Sequence, residues 1–490
     1  MTDVWNDTTL AQELKIDTNK ENVDSLYAAM DWLLLRQDKI ERRLARRHLC
    51  EGSMVLYDIS SSYVEGESCP LAKFGHNRDG KDGKKIIVYG LMTDDAGRPV
   101  SIQAYPGNTA DSTTVPDQVE KIRGQFGLNS ITLIGDRGML TGTQIEKLKK
   151  YPGILHVSVL RGESIRQLIR DGEVSRSLLD ETHLAEITSD EFPGERLVVC
   201  HNPSLEMRRQ KRREELLVAT EKLLTDFAQR ILKRHDRGKP YSDTDIGIRF
   251  GKIADKYRVA KHFDVKIEAG QITFARKLDT IKLESELDGF YVIRTNVPSV
   301  IRCSADVVRD YKRLSDVEKS FRTIKTTMLN IRPIFHRVGA LVRSHFLICM
   351  LSYYVVWHLR EAWREFLFCD DNLAKTRANR NPVESAEPSG KLKIKKTSRK
   401  NIIPNTTNNT DKNTNATTIA TTTNNSCEIE IRIKSFPSIM SELSKISRNQ
   451  HHSKHSNQTF HTTTTPTPYQ EMLLNKIRSI TITPSPSPPQ

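Results

Sequence analysis

The 490-residue sequence predicts an α/β fold in which helices flank a mixed β-sheet. Runs rich in β-branched and aromatic residues, bounded by turn residues, are typical of strands. Segments with apolar residues at helical spacing alternate with those runs. A polar, Asn/Thr-rich stretch near the carboxyl end cannot bury enough apolar surface to fold. We therefore expect a folded α/β part followed by a tail.

Residues 1–50 predict an amino-terminal helical segment. Leu26, Met30 and Leu33 recur at helical spacing, and IERRLARRHL follows with a strongly basic face. Either a contact with a DNA backbone or a solvated surface would explain those arginines.

Residues 51–160 predict five strands and two helices. MVLYDISSSYVEG, KKIIVYGLMTD and RPVSIQAY read as three antiparallel strands in meander order, with the turn residues DDAG between the last two. A helix over 115–126, the short strand SITLIGDRG, a helix over 140–149 and the strand ILHVSVL follow. This is the element order of the ribonuclease H-like fold, in which the first strand is central and the fourth lies beside it.

Residues 161–287 are predicted as an inserted lobe. They follow the region of the fourth and fifth strands and precede the helix Tyr311–Lys325. They contain the strand ERLVVCHN, a long charged helix from Ser204 to about Lys233, and the strands KHFDVKIEAG and QITFARK. The basic helix either follows a DNA backbone or is a solvated arm. Residues 288–371 complete the core with the strand GFYVIRT and two helices. The second of these, 340–366, is apolar but interrupted by charged residues and histidine, which favours a buried helix over a membrane span.

Residues 372–490 are predicted as a low-complexity, largely disordered tail. Lys, Asn and Thr dominate its first part, around NTTNNTDKNTNATTIATTTNNS. A short amphipathic segment, IKSFPSIMSELSKI, interrupts it before a tail rich in Thr, Pro and Ser.

Charge and cysteine usage narrow the class of protein. The formal net charge of +14 and the pI of about 9.3 favour a polyanionic partner, and nucleic acid rather than a membrane. The seven cysteines include no CxxC pair, so we expect reduced thiols in a cytoplasmic, nucleoid-associated protein rather than a disulfide or zinc framework. The amino terminus shows no apolar signal core.

Two aspartates in the predicted sheet are candidate site residues. Asp58 lies within a β-branched strand, where an unpaired carboxylate is disfavoured. Asp136 follows the fourth strand, where a turn or helix cap is an equally good explanation. If the first and fourth strands are neighbours, the two carboxylates lie close together.

A third carboxylate is predicted on the helix Tyr311–Lys325. One stripe of this helix is apolar: Leu314, Val317, Phe321, Ile324 and Met328. The adjacent stripe is polar: Tyr311, Glu318, Arg322 and Lys325. Ion pairs on a solvated helix are the simpler explanation of that second stripe. Together with Asp58 and Asp136, however, Glu318 would complete an oxygen-ligand cage for two Mg²⁺ ions.

Residues 10–371 resemble a DDE transposase of the IS4-type superfamily, and most closely its IS1634 group. The segments that carry the resemblance are VLYDISSSYVEG, CPLAKFGHNRDGK, GNTAD, LIGDRGM, FPGERLVVCHNP, LDGFYVIRT, VVRDYKRLSDVEKSFRTIK, IRPIFHRV and HFLICMLSYYVVWHLREAW. The superfamily signature is Tyr, two residues, Arg, three residues, Glu, six residues, Lys. Tyr311, Glu318 and Lys325 fit it, while Leu314 occupies the Arg position and Arg313 lies next to it.

The resemblance implies site residues and a cofactor. The catalytic, metal-binding acids would be Asp58, Asp136 and Glu318, with Mg²⁺ as the cofactor and Mn²⁺ as a substitute. The DNA contacts would come from four further side chains: Tyr311, Arg313, Arg322 and Lys325.

The resemblance also implies a function. The protein would be the transposase of an insertion sequence, cutting the element's ends and joining them to target DNA. Its partners would be double-stranded DNA and a second copy of the chain in a synaptic homodimer, with no membrane. Related branches excise through hairpin ends. Family members usually carry a further amino-terminal segment that helps bind the ends, so we expect that part to be truncated.

Two alternatives remain open at this point. Another ribonuclease H-like nuclease, such as a junction resolvase, would share the acids but cut without joining. A catalytically impaired or domesticated copy would bind only DNA or partner subunits.

Overall fold

A computed structural model describes residues 8–404, 428–452 and 458–480, apart from residues 19 and 327. The chain divides into two compact units. The first consists of residues 1–156, 310–380 and 386–490, and the second of residues 157–309 and 381–385. This division differs from the predicted lobe of 161–287, because the second unit continues to residue 309 and includes the strand that contains GFYVIRT.

The described helices and strands have the following bounds. The helices are α1 (Leu10–Glu13), α2 (Val23–Leu34), α3 (Gln37–His48), α4 (Val115–Glu120), α5 (Gly142–Leu148), α6 (Gly162–Arg170), α7 (Pro203–Asp236), α8 (Asp243–Tyr257), α9 (Leu278–Ser285), α10 (Ser304–Lys312), α11 (Leu314–Ile324), α12 (Gly339–Ala362), α13 (Leu373–Ala378), α14 (Gly390–Ser398), α15 (Phe436–Leu443) and α16 (Pro468–Arg478). The strands are β1 (Ser53–Tyr63), β2 (Ile86–Asp94), β3 (Pro99–Pro106), β4 (Ile131–Ile134), β5 (Ile154–Val159), β6 (Leu184–Ile187), β7 (Arg196–His201), β8 (Phe263–Glu268), β9 (Gln271–Arg276), β10 (Phe290–Thr295), β11 (Lys400–Pro404), β12 (Glu428–Arg432), β13 (Arg448–His452) and β14 (Thr459–Thr463).

The main sheet is mixed and has eight strands in the order β3-β2-β1-β4-β5-β10-β7-β6. Strands β1, β2 and β3 pair antiparallel, as the predicted meander requires. Strand β4 pairs parallel to β1, which confirms that the fourth strand lies beside the first. The α/β class with helices flanking a mixed sheet is therefore confirmed.

The two faces of β1 have different partners within the first unit. Val55, Tyr57 and Ile59 belong to a buried cluster with residues of α3, α4 and α5. Since successive side chains of a strand point to opposite faces, Asp58 lies on the other face. On that face, Tyr89 of β2 packs edge-on against Phe321 of α11. The alternation of the strand thus directs Asp58 towards the layer that contains α11.

The predicted helix Tyr311–Lys325 is divided in the structure. Helix α10 ends at Lys312, and α11 begins at Leu314. At the break, the Arg313 guanidinium donates to the backbone carbonyl and the carboxylate of Asp95, 3.1 and 2.9 Å away. Val317, Phe321 and Ile324 form the buried stripe as predicted, whereas Met328 lies beyond the helix and is 38% exposed.

Helix α12 is long and apolar enough to cross a membrane by length and composition, and half of its apolar stretch is buried. Its buried residues include Phe346, which packs on Tyr89 of the sheet. This packing agrees with the predicted role as a core helix.

The second unit contains three strands of the main sheet and a helical part. Strand β10 pairs antiparallel with β7 and with the last residues of β5. The predicted long charged helix is α7, and the two strands predicted after it form the hairpin β8–β9. Two ion pairs of α7 lie inside this unit: Arg213 of α7 is bonded to Asp288, and Glu221 of α7 is bonded to Arg276 of β9 at 2.7 Å. Arg212, in the same basic stretch, is 71% exposed, so the DNA-backbone contact and the solvated arm both stay predictions.

The carboxyl-terminal region differs from the predicted tail. In its described parts, α13 to α16 and the hairpins β11–β12 and β13–β14 are formed. The Trp363 indole donates to the Leu473 carbonyl at 3.0 Å, and its ring packs on Phe436. Short apolar runs such as IEIRI and FPSIM, too brief to shift the average composition, close a core on the end of α12. The Asn/Thr-rich residues 405–427 lie outside the described residues.

Candidate active site

Asp58 and Asp136 come together because of the β1–β4 register. Leu56 of β1 is the parallel partner of Ile134, the last residue of β4. Continued by two residues, the same register sets Asp58 level with Asp136. Neighbouring strands lie about 4.8 Å apart, so two side chains on one face at this level are neighbours.

Helix α11 brings the third predicted acid to the same place. Asp58, Asp136 and Glu318 all line one open cavity of about 460 Å³ in the first unit. The other lining residues are Ile59, Ser60, Arg78, Asp79, Asp111, Phe321, Arg322, Lys325 and Arg332. Carboxylates outnumber cations by one on this wall. The structure therefore gathers the three acids, far apart in sequence, around one open cavity.

Burial dominates the electrostatics of Asp58. It raises the pKa of this carboxyl to about 7, and the charges of Asp136 and Glu318 add to the rise. The Ile59 backbone N–H, which donates to Asp58 Oδ1 at 2.8 Å, and the Arg78 charge oppose it. Among the residues that the structure describes, neither Asp58 nor Asp136 forms an ion pair. A cation placed between these carboxylates would relieve their repulsion.

Asp136 also fits the alternative explanation as a turn cap. Its Oδ1 accepts the backbone N–H groups of Gly138 and Met139, both at 2.9 Å. These bonds hold the carboxylate at the carboxyl end of β4 and rigidify the turn that leads to α5. Because both bonds fall on one oxygen, capping and lining the cavity are compatible roles.

Glu318 is the most exposed of the three acids. Its side chain is 62% exposed and lies 3.6 Å from Arg322, one turn further along α11. The predicted helical ion pair is thus present. An exposed carboxylate on a rigid helix can turn from this weak pair towards a ligand in the cavity, because exposed pairs contribute little free energy.

Tyr311 at the end of α10 lies near all three acids. Burial raises the pKa of its phenol to about 12, and the charges of Asp136, Glu318 and Asp58 add to the rise. The nearby Arg137 charge opposes them. The phenol therefore stays protonated and can donate a hydrogen bond into the site.

The predicted basic residues have different environments. Arg322 lines the cavity and is 72% exposed. Lys325 also lines it, but its ammonium group is bonded to Asp79 at 2.8 Å and to the Ser61 carbonyl at 2.8 Å. Arg313 is bonded to Asp95 instead, as described above. Of the predicted cations, Arg322 is thus the one with an exposed guanidinium on the cavity wall.

Sequence reasoning missed several residues of the cavity. Arg78 and Asp79 come from the loop GHNRDG, which carries part of the resemblance but received no role in the predicted site. Arg78 pairs with Asp111, from the segment GNTAD, at 2.6 Å. Arg332 also lines the wall, next to a Pro. The available signal was the loop GHNRDG itself, in which the charged residues Arg78 and Asp79 lie between two glycines.

The metal-binding potential of the cavity depends on the donor set. Carboxylate oxygens are the ligands that Mg²⁺ and Mn²⁺ prefer. Within the described parts of the chain, no group of three or more His, Cys, Asp or Glu side chains is close enough to hold a metal ion as it stands. The exposed Glu318 side chain is the member free to move. The carboxylate donors fit a divalent cation. Glu318 would have to turn towards Asp58 and Asp136 for the three side chains to hold one together.

The chain belongs to the transposase DDE domain family, whose model matches residues 57–355. The matched range begins beside Asp58 and includes Asp136 and Glu318. No curated protein sequence matches the chain.

A solved structure with partial similarity is the cryo-EM structure of the piggyBac transposase synaptic complex with hairpin DNA. The TM-score is 0.33 and the sequence identity is 11%. The similarity covers 63% of this chain and 48% of that chain, so the present chain spans about half of its length.

Proposed function

We propose that this protein is the transposase of an insertion sequence, of the IS4-type superfamily and its IS1634 group. The observation that carries the proposal is the cavity lined by Asp58, Asp136 and Glu318 inside the family-matched range. Residues 51–160 and 288–371 would form a ribonuclease H-like core, with the intervening residues as an inserted lobe. The order β3-β2-β1-β4-β5, with β4 parallel to β1, supports that assignment.

The reaction we propose has two stages on DNA. Water first cleaves the phosphodiester at the element's end and leaves a 3′-hydroxyl. That hydroxyl then attacks a phosphodiester of the target, and the target's own 3′ oxygen departs. Excision through a hairpin end is an extension of the same chemistry.

Asp58, Asp136 and Glu318 would hold the divalent ions, Mg²⁺ or Mn²⁺ in its place. When bound, two such ions activate the attacking oxygen and stabilise the leaving oxygen. The excess of carboxylates on the wall and the raised pKa of Asp58 support this assignment.

The remaining residues would bind and orient the DNA. Arg322 presents an exposed guanidinium beside Glu318. A guanidinium can form a bidentate pair of hydrogen bonds with a phosphate. Tyr311 can donate its phenolic proton to a phosphate oxygen near the acids. The buried Phe321 lines the same cavity and would give it one apolar wall.

The partners we propose are double-stranded DNA, as the element's terminal repeats and as the target, and a second copy of the chain in a synaptic homodimer. The net charge of +14 supports a polyanionic partner. A cytoplasmic, nucleoid-associated location follows from the same proposal.

The test is cleavage of a DNA fragment that carries the element's own terminal repeats by the purified full-length chain. We expect nicking at the repeat ends with Mg²⁺ or Mn²⁺ and none with chelator. Precut ends should then be joined to a target plasmid. Cutting without joining would support the nuclease alternative, while binding with neither reaction would support the impaired or domesticated copy.

A further inference from the structure

Asp79 is a fully buried carboxylate that serves two cations on the cavity wall. Its side chain is 0% exposed. Asp79 Oδ1 accepts from Lys325 Nζ at 2.8 Å and from Arg332 Nη1 at 2.5 Å. Asp79 Oδ2 accepts from the Tyr63 backbone N–H at 3.2 Å. A buried charge is stable only when it is paired and hydrogen-bonded in this way.

The loop that carries Asp79 is fixed on both sides. The Asn77 side chain accepts from the Asp79 backbone N–H at 2.8 Å. The Arg78 backbone N–H donates to Ser61 Oγ at 3.1 Å. Lys325, at the end of α11, donates to the Ser61 carbonyl as well as to Asp79. The loop, the end of β1 and the end of α11 are thus joined at Asp79.

Lys325 and Arg332 differ in exposure and in the number of N–H donors that remain available to a ligand. Lys325 is 11% exposed, and its ammonium group has two protein acceptors. Burial lowers its pKa, and the Asp79 charge opposes that loss. Arg332 is 33% exposed and lines the cavity, and one of its five N–H donors binds Asp79. The other donors of a planar guanidinium can serve a phosphate at the same time.

We propose that Asp79 is a positioning residue, which fixes the Arg332 guanidinium to receive a DNA phosphate beside the three acids. Lys325 is the second, buried cation of the same network and makes no direct phosphate contact. This proposal rests on the proposed function. It assigns the phosphate contact to Arg332 rather than to Lys325.

The test is a double-mutant cycle in the full-length chain with Asp79→Asn, Arg332→Gln and both together. Affinity for a duplex carrying the terminal repeats is measured by fluorescence anisotropy at several salt concentrations. We expect each single variant to bind about tenfold more weakly, as for the loss of one charge-assisted hydrogen bond. The double variant should bind no more weakly than Arg332→Gln, because Asp79 acts through Arg332.

Two outcomes would overturn the proposal. Additive losses would mean that Asp79 acts independently of Arg332. Tighter binding by Asp79→Asn would mean that this carboxylate merely competes with phosphate. Asp371→Asn is the matched control, since it removes an equal charge that also pairs with two cations, Lys391 and Lys395, outside the cavity wall.

A second comparison holds even if Asp79→Asn fails to fold. Arg332→Gln should reduce the slope of log affinity against log salt by about one, as for a lost phosphate contact. Lys325→Gln should lower the unfolding midpoint and change the slope by less than half as much. An equal or larger slope change for Lys325→Gln would overturn the proposal. Wild-type protein that neither binds nor cuts the repeats would instead refute the proposed function itself.

Discussion

Glu318 lies 3.6 Å from Arg322 on the next turn of α11, and both side chains line the cavity that contains Asp58 and Asp136. One helix therefore supplies an acid and a cation to the same space. The pair is exposed, so its own contribution to stability is small. Its importance lies in what each member can bind once the two separate.

Glu318→Gln should abolish DNA cleavage while duplex binding stays within about twofold. The amide cannot act as an anionic ligand, and changes even one shell further from a metal typically cost 10–100-fold in activity, so a loss beyond about a hundredfold is expected. Gel-based cleavage and anisotropy measure the two effects separately. Glu361→Gln, at the end of α12 and outside the cavity wall, is the matched control, since this 46% exposed glutamate also pairs with an arginine, Arg364. Cleavage at the wild-type rate would remove Glu318 from the catalytic set.

Arg322→Gln should weaken DNA binding. It should also reduce the slope of log affinity against log salt by about one, as for one lost phosphate contact. The exposed pair with Glu318 contributes at most about 0.5 kcal/mol, so the free energy of unfolding should hardly change. Urea unfolding and salt-dependent anisotropy on the same preparation check both statements. A large loss of stability with an unchanged salt slope would show that Arg322 is structural.

Features that depend on neighbouring residues could be predicted from the sequence, whereas contacts between distant residues could not. The alternation in β1 and the succession of strands and helices along the chain up to β5 could be predicted, because each element is encoded by its own local periodicity. Lys325, which helical spacing assigned to the polar stripe, lines the cavity. Its partner Asp79 lies 246 residues away and bonds through a tertiary contact that no periodicity encodes. The bond of Arg313 to Asp95, at the break between α10 and α11, is another tertiary contact of this kind, and its partners lie 218 residues apart.

Gly90→Ala should destabilise the sheet beneath the site. A Cβ at Gly90 would lie 2.2 Å from the hydroxyl of Tyr57, the residue that precedes Asp58 on β1. Tyr57 is fully buried and donates to Thr114 Oγ1, so it cannot move away freely. Overpacking of this kind costs about 1–3 kcal/mol. Urea unfolding should show the loss, and Gly124→Ala, where the new Cβ meets nothing within 4 Å, should not.

Stability should fall on acidification because of His48. Burial lowers the pKa of this imidazole from 6.5 to about 3, and the nearby Arg98, His358 and Arg47 charges add to the fall. Its Nε2 lies 2.9 Å from the Tyr354 hydroxyl. Since the folded pKa lies below the unfolded value, the unfolded state binds more protons between these two values. Protonation therefore favours unfolding as the pH drops through that window.

The measurement for His48 is the free energy of unfolding from pH 7 to pH 5. The wild type should lose about 2 kcal/mol more than His48→Gln between pH 7 and pH 5. A glutamine can still bond the Tyr354 hydroxyl but does not titrate. Parallel curves for the two proteins would show that His48 is not the group responsible.

Trp363→Ala should detach the carboxyl-terminal elements from α12. The Trp363 side chain is 1% exposed and joins Phe436 of α15 to Leu473 of α16 in one buried cluster. Truncating a buried tryptophan costs about 3–5 kcal/mol. Limited proteolysis should therefore cut residues 428–480 faster in the variant, while the fragment containing the main sheet persists. Trp357, whose indole bonds the Ala96 carbonyl outside that cluster, provides the comparison variant Trp357→Ala. Equal cleavage rates for wild type and Trp363→Ala would support the disordered tail that the composition predicts.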